Sequence, residues 1–420
     1  MLRFLTAGES HGKGLVTIID NFPAGVKIDE EFINEKLKLR QSGYGRGARQ
    51  KIETDKIEFL SGVRGGFTTG SPISFFIKNK DYDNWRDRMD AYNPVPEESK
   101  IHTPRPGHAD FAGSIKFGLD DIRNVLERSS ARETASRVAV GAICQIFLKN
   151  FGIEFASAVL NIGEVGEKNV SELSLRAKRS NLEPKGVELT SKGSEFKSYH
   201  FDLNLFDHSI RQNIENSELR MPYPELEEKT KAYIDKMKAE GDTVGGLITA
   251  QVKGVPVGLG SFTQWDEKLD AHISMSVMSI QAIKSVEIGA GVKSAYLKGS
   301  ECHDSIYCGN SNNGAAPGFF RKTDNAGGIE GGMSNGEIIS VTCAMKPIPT
   351  LMKPYLDTVD LNTCEPKKAF LERSDVCAVP AASIVVESAL AFSICYFFLK
   401  KFGGDGLAEI KRNYEGYRKK

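Results

Sequence analysis

The sequence predicts an α+β fold built in layers, and two observations support this. Short segments of alternating polar and apolar residues, such as 247–252 and 338–342, end at Gly or Pro and are typical of antiparallel strands. The stretch from Val376 to Leu399 is apolar apart from serines and Glu387, which predicts a helix buried on all sides. We expect the sheets to pack against such helices.

The same apolar stretch is long enough to cross a membrane. Pro380 inside it and the glycine pair at 403–404 instead fit a core helix with a C-terminal stop. We therefore expect no association with a membrane.

An internal echo links this helix to an earlier one. Residues 143–152 and 394–403 are identical at seven of ten positions, and each copy follows an Arg-Ser pair, at 128–129 and 373–374. The echo predicts two pseudo-equivalent strand-to-helix units, with chance similarity between apolar helices as the alternative.

Composition limits the class of protein. Of 420 residues, 40% are hydrophobic and 26% charged, which is typical of globular proteins. Lys plus Arg and Asp plus Glu are both 55, so the whole chain has no electrostatic signature for nucleic acid or an anionic membrane. Seven cysteines without a disulfide or metal spacing indicate a reducing cytoplasm. The first residues contain no long apolar run, so we expect no secretory signal.

We expect a single domain over residues 1–420. A segment at about 164–216 is rich in Glu, Lys, Ser and Asn with weak periodicity, which predicts a peripheral excursion from that domain. Residues 225–240 combine helical spacing with many charges, which predicts a solvated helix.

The segment 128–130 is a candidate phosphate site. Its Arg-Ser-Ser sequence predicts a helix start, where hydroxyls, backbone N–H groups and the helix dipole all favour an anion. Arg132 could join the same cationic pocket. An ordinary capped helix with salt-bridged arginines is the alternative.

Two other segments combine cations with bare or stiff backbone. The run 40–51 interleaves three arginines with glycines that permit close approach of a ligand, unless it is only a flexible surface loop. In 346–350 two prolines stiffen a loop between a lysine and a threonine. The glycine-rich run 327–336 lacks a nucleotide-loop spacing but lets a flat ligand lie on bare backbone.

His11 and His108 lie in glycine-containing turns, where an imidazole is available for proton transfer near neutrality. Either could instead be an ordinary surface or core histidine. No histidine or cysteine spacing is convincing for a metal, so we predict no metal site. The Gly-x-Ser-x-Gly pattern at 8–12 lies too near the N-terminus for the sheet that a nucleophile elbow needs. Together these features favour a site for a small polyanion.

Three sequence blocks form a recognisable set: Gly8-Glu9-Ser10-His11-Gly12, residues 105–110 with 127–134, and Arg373-Ser374-Asp375 with Cys377-Ala378-Val379-Pro380. Further matching segments lie between them at 241–243, 254–260, 278–282 and 286–289. Through these motifs the chain resembles the chorismate synthase family from end to end.

The resemblance implies conversion of 5-enolpyruvylshikimate 3-phosphate to chorismate and phosphate by anti-1,4-elimination. This reaction belongs to the shikimate pathway of aromatic amino acid biosynthesis and requires reduced FMN without net redox change. The resemblance also implies a sandwich of antiparallel sheets around central helices and a cytoplasmic homotetramer.

The resemblance assigns residues by position. His11 would be the acid toward the leaving phosphate, His108 would protonate or stabilise the reduced flavin near N1, and Asp375 would assist proton removal at N5. The substrate would be lined by Ser10, Arg40, Arg46, Arg49, Arg105, Arg132 and Arg373. FMN would be held by Arg128, Ser129, Ser130, Gln281, Ala282, Gly331, Lys346, Pro347, Ile348, Pro349, Thr350 and Arg373.

Two other functions fit the same residues. One is an FMN-dependent oxidoreductase with a conventional hydride acceptor, and the other is a non-enzymatic anion-binding protein. Since no dinucleotide fingerprint is visible, we expect an external flavin reductant rather than an NADPH-dependent reductase activity of this chain.

Overall fold

The computed structural model describes residues 1–47, 54–166, 203–309, 318–369 and 374–418. The strands are β1 (Arg3–Ala7), β2 (Gly14–Asp20), β3 (Glu58–Ser61), β4 (Val63–Arg64), β5 (Phe67–Thr68), β6 (Ile73–Lys78), β7 (Glu154–Ile162), β8 (Val165–Gly166), β9 (Gly246–Lys253), β10 (Ile283–Ile288), β11 (Ile306–Cys308), β12 (Phe319–Arg321), β13 (Ile329–Glu330), β14 (Met333–Ser334), β15 (Ile339–Met345), β16 (Asp357–Val359) and β17 (Pro366–Lys368). The helices are α1 (Glu30–Gln41), α2 (Asp110–Phe117), α3 (Arg123–Ser129), α4 (Thr134–Lys149), α5 (His208–Asn216), α6 (Glu227–Glu240), α7 (Leu269–Met278), α8 (Gly299–Cys302), α9 (Val379–Phe402) and α10 (Leu407–Arg418).

Two antiparallel sheets contain most of the longer strands. The first has the order β1-β2-β6-β3 and the second β10-β15-β9-β7-β8. The predicted strands at 247–252 and 338–342 are confirmed as β9 and β15, which pair with Ile339 opposite Val252. Strand β15 alternates buried and half-buried residues, because only one of its faces is fully covered.

Helices α4 and α9 pack closely on each other. A Cβ on Gly141 of α4 would lie only 2.3 Å from Cβ of Ser388, so glycine permits this approach. Phe147 and Phe398, equivalent positions of the sequence echo, meet with ring centroids 5.8 Å apart. Helix α9 also contacts β7 and β9 of the second sheet, while α4 contacts β2 of the first.

Helix α9 is long and apolar enough to cross a membrane, yet 83% of its most apolar window is buried inside the protein. The helix begins at Val379, whereas the predicted apolar stretch begins at Val376. Pro380 therefore lies in the first turn, where proline is tolerated. Gly403, with φ of 58°, ends it as predicted. Its buried Glu387 pairs with Lys36 of α1 at 2.6 Å.

Part of the predicted excursion, 167–202, lies outside the described residues. The C-terminal part of the excursion forms α5. Its N-cap is Asp207, whose side chain accepts a hydrogen bond from the Ser209 backbone N–H. Leu205 and Ile214 pack on Ala156 and Ala158 of β7 as a small separate core. The predicted solvated helix is confirmed as α6.

Candidate active site

His11 lies in the turn between β1 and β2 and is bound by Glu127 of α3. The ring Nδ1 is 2.8 Å from Glu127 Oε1, and the His11 backbone N–H donates to Oε2 at 2.7 Å. Arg123, one turn earlier on α3, donates to Oε1 at 3.0 Å. Burial alone would raise the pKa of Glu127, but the hydrogen bonds from His11 and the Arg123 charge hold it below its ordinary value. The carboxylate therefore stays ionised beside the imidazole.

Asn79, directly after β6, joins the histidine turn to an arginine. Its Nδ2 donates to the carbonyls of Gly12 at 2.8 Å and Ser10 at 3.2 Å, while its Oδ1 accepts from Arg132 Nε at 2.8 Å. The Ser130 hydroxyl lies 3.2 Å from that of Ser10. Ser10, His11, Ser130 and Arg132 are thus brought into one cluster.

Arg132 and Arg40 share the buried carboxylate of Asp55. Asp55 Oδ2 is 2.6 Å from Arg132 NH1 and 3.4 Å from Arg40 NH1, and Arg40 Nε donates to the Thr134 hydroxyl at 2.9 Å. Burial lowers the pKa of Arg40 to about 10, still far above neutrality. Arg132 NH2 is buried without a hydrogen-bond partner, so this pair retains a donor for an anion.

The loop after α1 packs on the start of α9. Gly45 has φ of 85°, and a Cβ there would lie 3.0 Å from Cβ of Cys377, so glycine suits both its conformation and its contact. Arg46 NH1 lies 2.8 Å from Asp375 Oδ2, and the Gly47 backbone N–H donates to Asp375 Oδ1 at 2.6 Å. Arg46 and Asp375 are close enough to Arg40 to influence its pKa. The 43–47 part of the predicted cationic loop is therefore anchored.

His108 belongs to a second cluster with Arg105 and Asp110. His108 Nδ1 is 2.5 Å from Asp110 Oδ1, and Arg105 Nε donates to Asp110 Oδ2 at 2.8 Å. Arg105 NH1 also donates to the Thr350 hydroxyl at 2.9 Å. Burial opposes ionisation of Asp110, but the bonds from His108 and Arg105 lower its pKa to about 2.

The loops 281–282 and 346–350 meet near this second cluster. The Lys346 backbone N–H donates to the Ala282 carbonyl at 2.9 Å, and Lys346 Nζ binds the Gly107 carbonyl next to His108. Thr243 fixes the second loop by donating to the Ile348 carbonyl at 2.7 Å. Gln281 Nε2 reaches Glu133 at 3.4 Å, while its Oε1 is buried without a partner.

The predicted helix start at 128–130 is confirmed at Ser130 and wrong for Arg128 and Ser129, which belong to the end of α3. Helix α3 ends at Ser129, whose hydroxyl donates back to the Val125 carbonyl at 2.8 Å. Arg128 donates to the carbonyls of Thr6 and Gly8. Ser130 alone acts as an N-cap, of the 3₁₀ turn Ala131–Glu133, because its extended backbone (ψ of 143°) interrupts the helices.

Three residues predicted to bind FMN or the substrate are not joined to either cluster by a described contact. Gly331 lies between β13 and β14, where a Cβ would meet no atom within 4 Å, so the backbone there is open to a ligand. Arg49 and Arg373 lie outside the described residues.

The sequence spacing predicted no metal site. Among the described residues one group could hold a metal ion, namely Glu97 with His102 and Asp120. Lys100 already pairs with both of its carboxylates.

Sequence reasoning missed the groups that hold the predicted side chains. Glu127 and Asp110 lie inside the motif blocks, where their proximity to Arg128 and His108 was the available signal. Asp55, Asn79 and Trp85 carry no local signal, because each is joined to the site by contacts between segments distant in the sequence.

Comparisons with known proteins agree over nearly the whole chain. The family described as Chorismate synthase matches residues 2–399. The chain is similar to chorismate synthase of Geobacter metallireducens, with 50% identity over 420 residues covering 99% of this chain and 98% of the relative. The relative from Sulfurihydrogenibium sp. is 48% identical over 419 residues, covering 100% and 98%. A crystal structure of chorismate synthase matches with a TM-score of 0.73 and 39% identity, covering 99% of this chain and 97% of that one.

Proposed function

This chain belongs to the chorismate synthase family, and we propose that it converts 5-enolpyruvylshikimate 3-phosphate to chorismate and phosphate with reduced FMN. The geometry that supports the proposal best is a set of buried cationic donors beside a histidine. Arg132 NH2 and Arg46 Nε are both buried without a partner, and both arginines lie near Arg40. Buried donors in this state are arranged for a ligand with anionic oxygens.

The substrate carries a phosphate and carboxylates that these groups can neutralise. We assign Arg40, Arg46 and Arg132 to the substrate anions and Ser10 to a hydrogen bond with the same ligand. His11 donates a proton to an oxygen of the departing phosphate, which lowers the charge on the leaving group. Asp55 holds two of the arginines in place, so they need not reorganise when the substrate enters.

The second cluster fits the cofactor. Gln281 Oε1 lacks a partner and Lys346 lies beside Gly107, so this cluster offers an acceptor and a donor to a phosphorylated ligand. We also assign to FMN the open backbone at Gly331, which stands apart from these residues. Reduced FMN, when held by these residues, would supply transient electron donation. We assign His108, held by Asp110, to a proton on the cofactor, and Asp375, which pairs with Arg46, to proton removal from it. We also assign to FMN the loop residues Ala282, Pro347, Ile348, Pro349 and Thr350, together with Arg128, Ser129 and Ser130, which lie beside the first cluster.

Anaerobic turnover tests the proposal. With photoreduced FMN at a small fraction of the substrate concentration, we expect many equivalents of chorismate and phosphate without net flavin oxidation. Stoichiometric oxidation of the flavin would instead indicate the conventional oxidoreductase, and binding without turnover an anion-binding protein. Adding NADPH in place of the photoreductant tests the expected need for an external reductant.

We also propose the finer architecture that the family implies. Contacts of α4 with β2 and β7, and of α9 with β7 and β9, support a sandwich of two sheets around central helices, and the meeting of Phe147 with Phe398 supports an internal pseudo-repeat. All seven cysteines are free, which supports a cytoplasmic location.

A homotetramer is the assembly that we propose. The outer face of the first sheet exposes apolar side chains on adjacent strands, with Leu5 69% and Ile18 42% exposed and paired in register. A second copy could cover this face with an identical face. Light scattering should give the mass of four chains, and Ile18→Lys should reduce it; a monomeric parent protein would refute the assembly.

A further inference from the structure

We infer that Glu127 is a positioning residue for His11 that commits Nδ1 of the ring to a buried carboxylate, so that protons pass to the substrate through Nε2. The inference rests on the proposed role of His11 as an acid.

Glu127 forms hydrogen bonds with both the ring and the backbone of His11. Oε1 lies 2.8 Å from Nδ1 and Oε2 accepts the backbone N–H at 2.7 Å, so the ring is fixed relative to its own main chain. The Glu127 carbonyl also accepts the Ser10 backbone N–H at 3.0 Å. The Glu127 side chain is only 1% exposed, so water does not compete for these bonds.

Trp85 stacks on the face of the His11 imidazole and restrains its orientation. The indole and imidazole centroids are 3.9 Å apart with an interplanar angle of 29°, and the indole Nε1 donates to Asp81 at 3.2 Å. The Arg123 guanidinium, which also binds Glu127, lies 5.0 Å from the indole centroid. The imidazole is therefore held at one edge by Glu127 and across its plane by Trp85.

These contacts define the proton transfer. Nδ1–H donates to Glu127, which fixes the tautomer. In the acid step the Nε2–H bond breaks and its proton bonds to a phosphate oxygen. The electron pair of the breaking C–O bond leaves with the phosphate, and the electrons of the C–H bond that the 1,4-elimination also breaks complete the new diene. The ring becomes neutral. Its Nδ1 keeps its proton and stays hydrogen-bonded to Glu127. Charged groups that face the ring include Glu127 and, through it, Arg123, while Arg88 lies 5.5 Å from the centroid of the stacked Trp85 ring.

Tryptophan fluorescence provides a test that does not depend on turnover. The chain has two tryptophans, and in a Trp265→Phe variant only Trp85 emits, so quenching by protonated His11 reports the charge of the ring. In this background without cofactor, Glu127→Gln should move the midpoint of the fluorescence titration to lower pH, because a negative charge that favours imidazolium is lost. Glu133→Gln, a buried carboxylate that contacts Arg137 instead, should leave the midpoint unchanged. An unchanged midpoint in the Glu127 variant would overturn the inference.

A double-mutant cycle separates positioning from folding. Glu127→Gln should lower kcat at least about 10-fold, a part of the roughly 10²–10⁴-fold contribution of a positioned acid, with little change in KM. In a His11→Gln background the same change should have no further effect on kcat. An equal loss in both backgrounds would mean that Glu127 supports the fold only. A His11→Gln variant with parental kcat would instead refute the acid role of His11, whatever the fluorescence shows.

Discussion

The Asp375 carboxylate forms an ion pair with Arg46, with 2.8 Å between Oδ2 and NH1, and joins two segments more than three hundred residues apart in the chain. The Asp375 side chain does not cap α9, whose N-cap residue is Ala378. Its second oxygen accepts the Gly47 backbone N–H at 2.6 Å. Asp375 therefore fixes the loop that carries a proposed substrate arginine.

Asp375→Asn separates proton acceptance from this anchoring. An asparagine oxygen can still accept from Gly47, so the loop should keep its position and FMN affinity should be nearly unchanged, while loss of the charge opposite Arg46 should lower the melting temperature. Chorismate formation in a single turnover should slow by roughly 10²-fold or more, the scale of a lost acid-base group. Rapid quench and thermal melting on one preparation measure both quantities. If the variant turns over at the parental rate, Asp375 is only an anchor.

His11→Ala should bind FMN with parental affinity but lose turnover, because the missing group donates to the phosphate and not to the cofactor. Loss of a general acid costs roughly 10²–10⁴-fold in rate. FMN titration followed by an anaerobic assay measures both effects. Parental turnover would remove His11 from the mechanism, and loss of FMN binding would place it in the cofactor site.

FMN should stabilise the folded protein by mass action. At a free concentration one hundred times Kd the gain is about 2.7 kcal/mol, provided that the unfolded chain does not bind FMN. Melting curves at increasing FMN, with and without substrate, measure it. Riboflavin, which lacks the phosphate, is the matched control and should have a smaller effect. The absence of any shift at saturating FMN would contradict the cofactor assignment.

Asp324 should make stability depend on pH. Burial and the nearby Asp304 and Glu337 raise its pKa from 3.8 to about 7, although the Gly328 backbone N–H and Arg321 oppose this. Since the folded pKa is the higher one, the contribution of Asp324 to stability is complete below about pH 4 and is lost as pH rises through 7.

Asp324→Asn should remove this loss, because asparagine stays neutral and can still accept from Gly328. We expect the variant to be more stable than the parent at pH 8 by on the order of a few kcal/mol, and the difference to shrink towards pH 4. Urea unfolding at several pH values measures the difference. A constant difference across this range would contradict the prediction.

Lys36→Met should destabilise the core around α9. The lysine neutralises Glu387, which also accepts from the Ser157 hydroxyl at 2.7 Å, and removing one partner of a buried pair costs about 3–5 kcal/mol. Lys38→Met, the same change at an exposed position of α1, is the control and should alter stability by less than about 0.5 kcal/mol. Equal effects in urea unfolding would mean that the buried pair contributes nothing.

Local patterns in the sequence determined several secondary-structure elements of this protein and its family. Alternation predicted β9 and β15, and continuous apolarity followed by Gly403 predicted α9 and its end. Motif blocks identified the family and with it the arginines and histidines that we propose for the site. The helix start predicted at 128–130 was placed one to two residues too early, because either serine suits a cap, whereas Ser129 ends α3 and only Ser130 caps the next turn.

Only the tertiary structure decided how those side chains are held. Glu127 is 116 positions from His11, and Asp55 lies 77 positions from Arg132, yet each pair is in direct contact. Such contacts depend on how sheets and helices pack, and no local period or spacing encodes them. The sequence by itself therefore determined which residue types are present, while packing decided which nitrogen of His11 faces a carboxylate and which donors of Arg46 and Arg132 remain for a ligand.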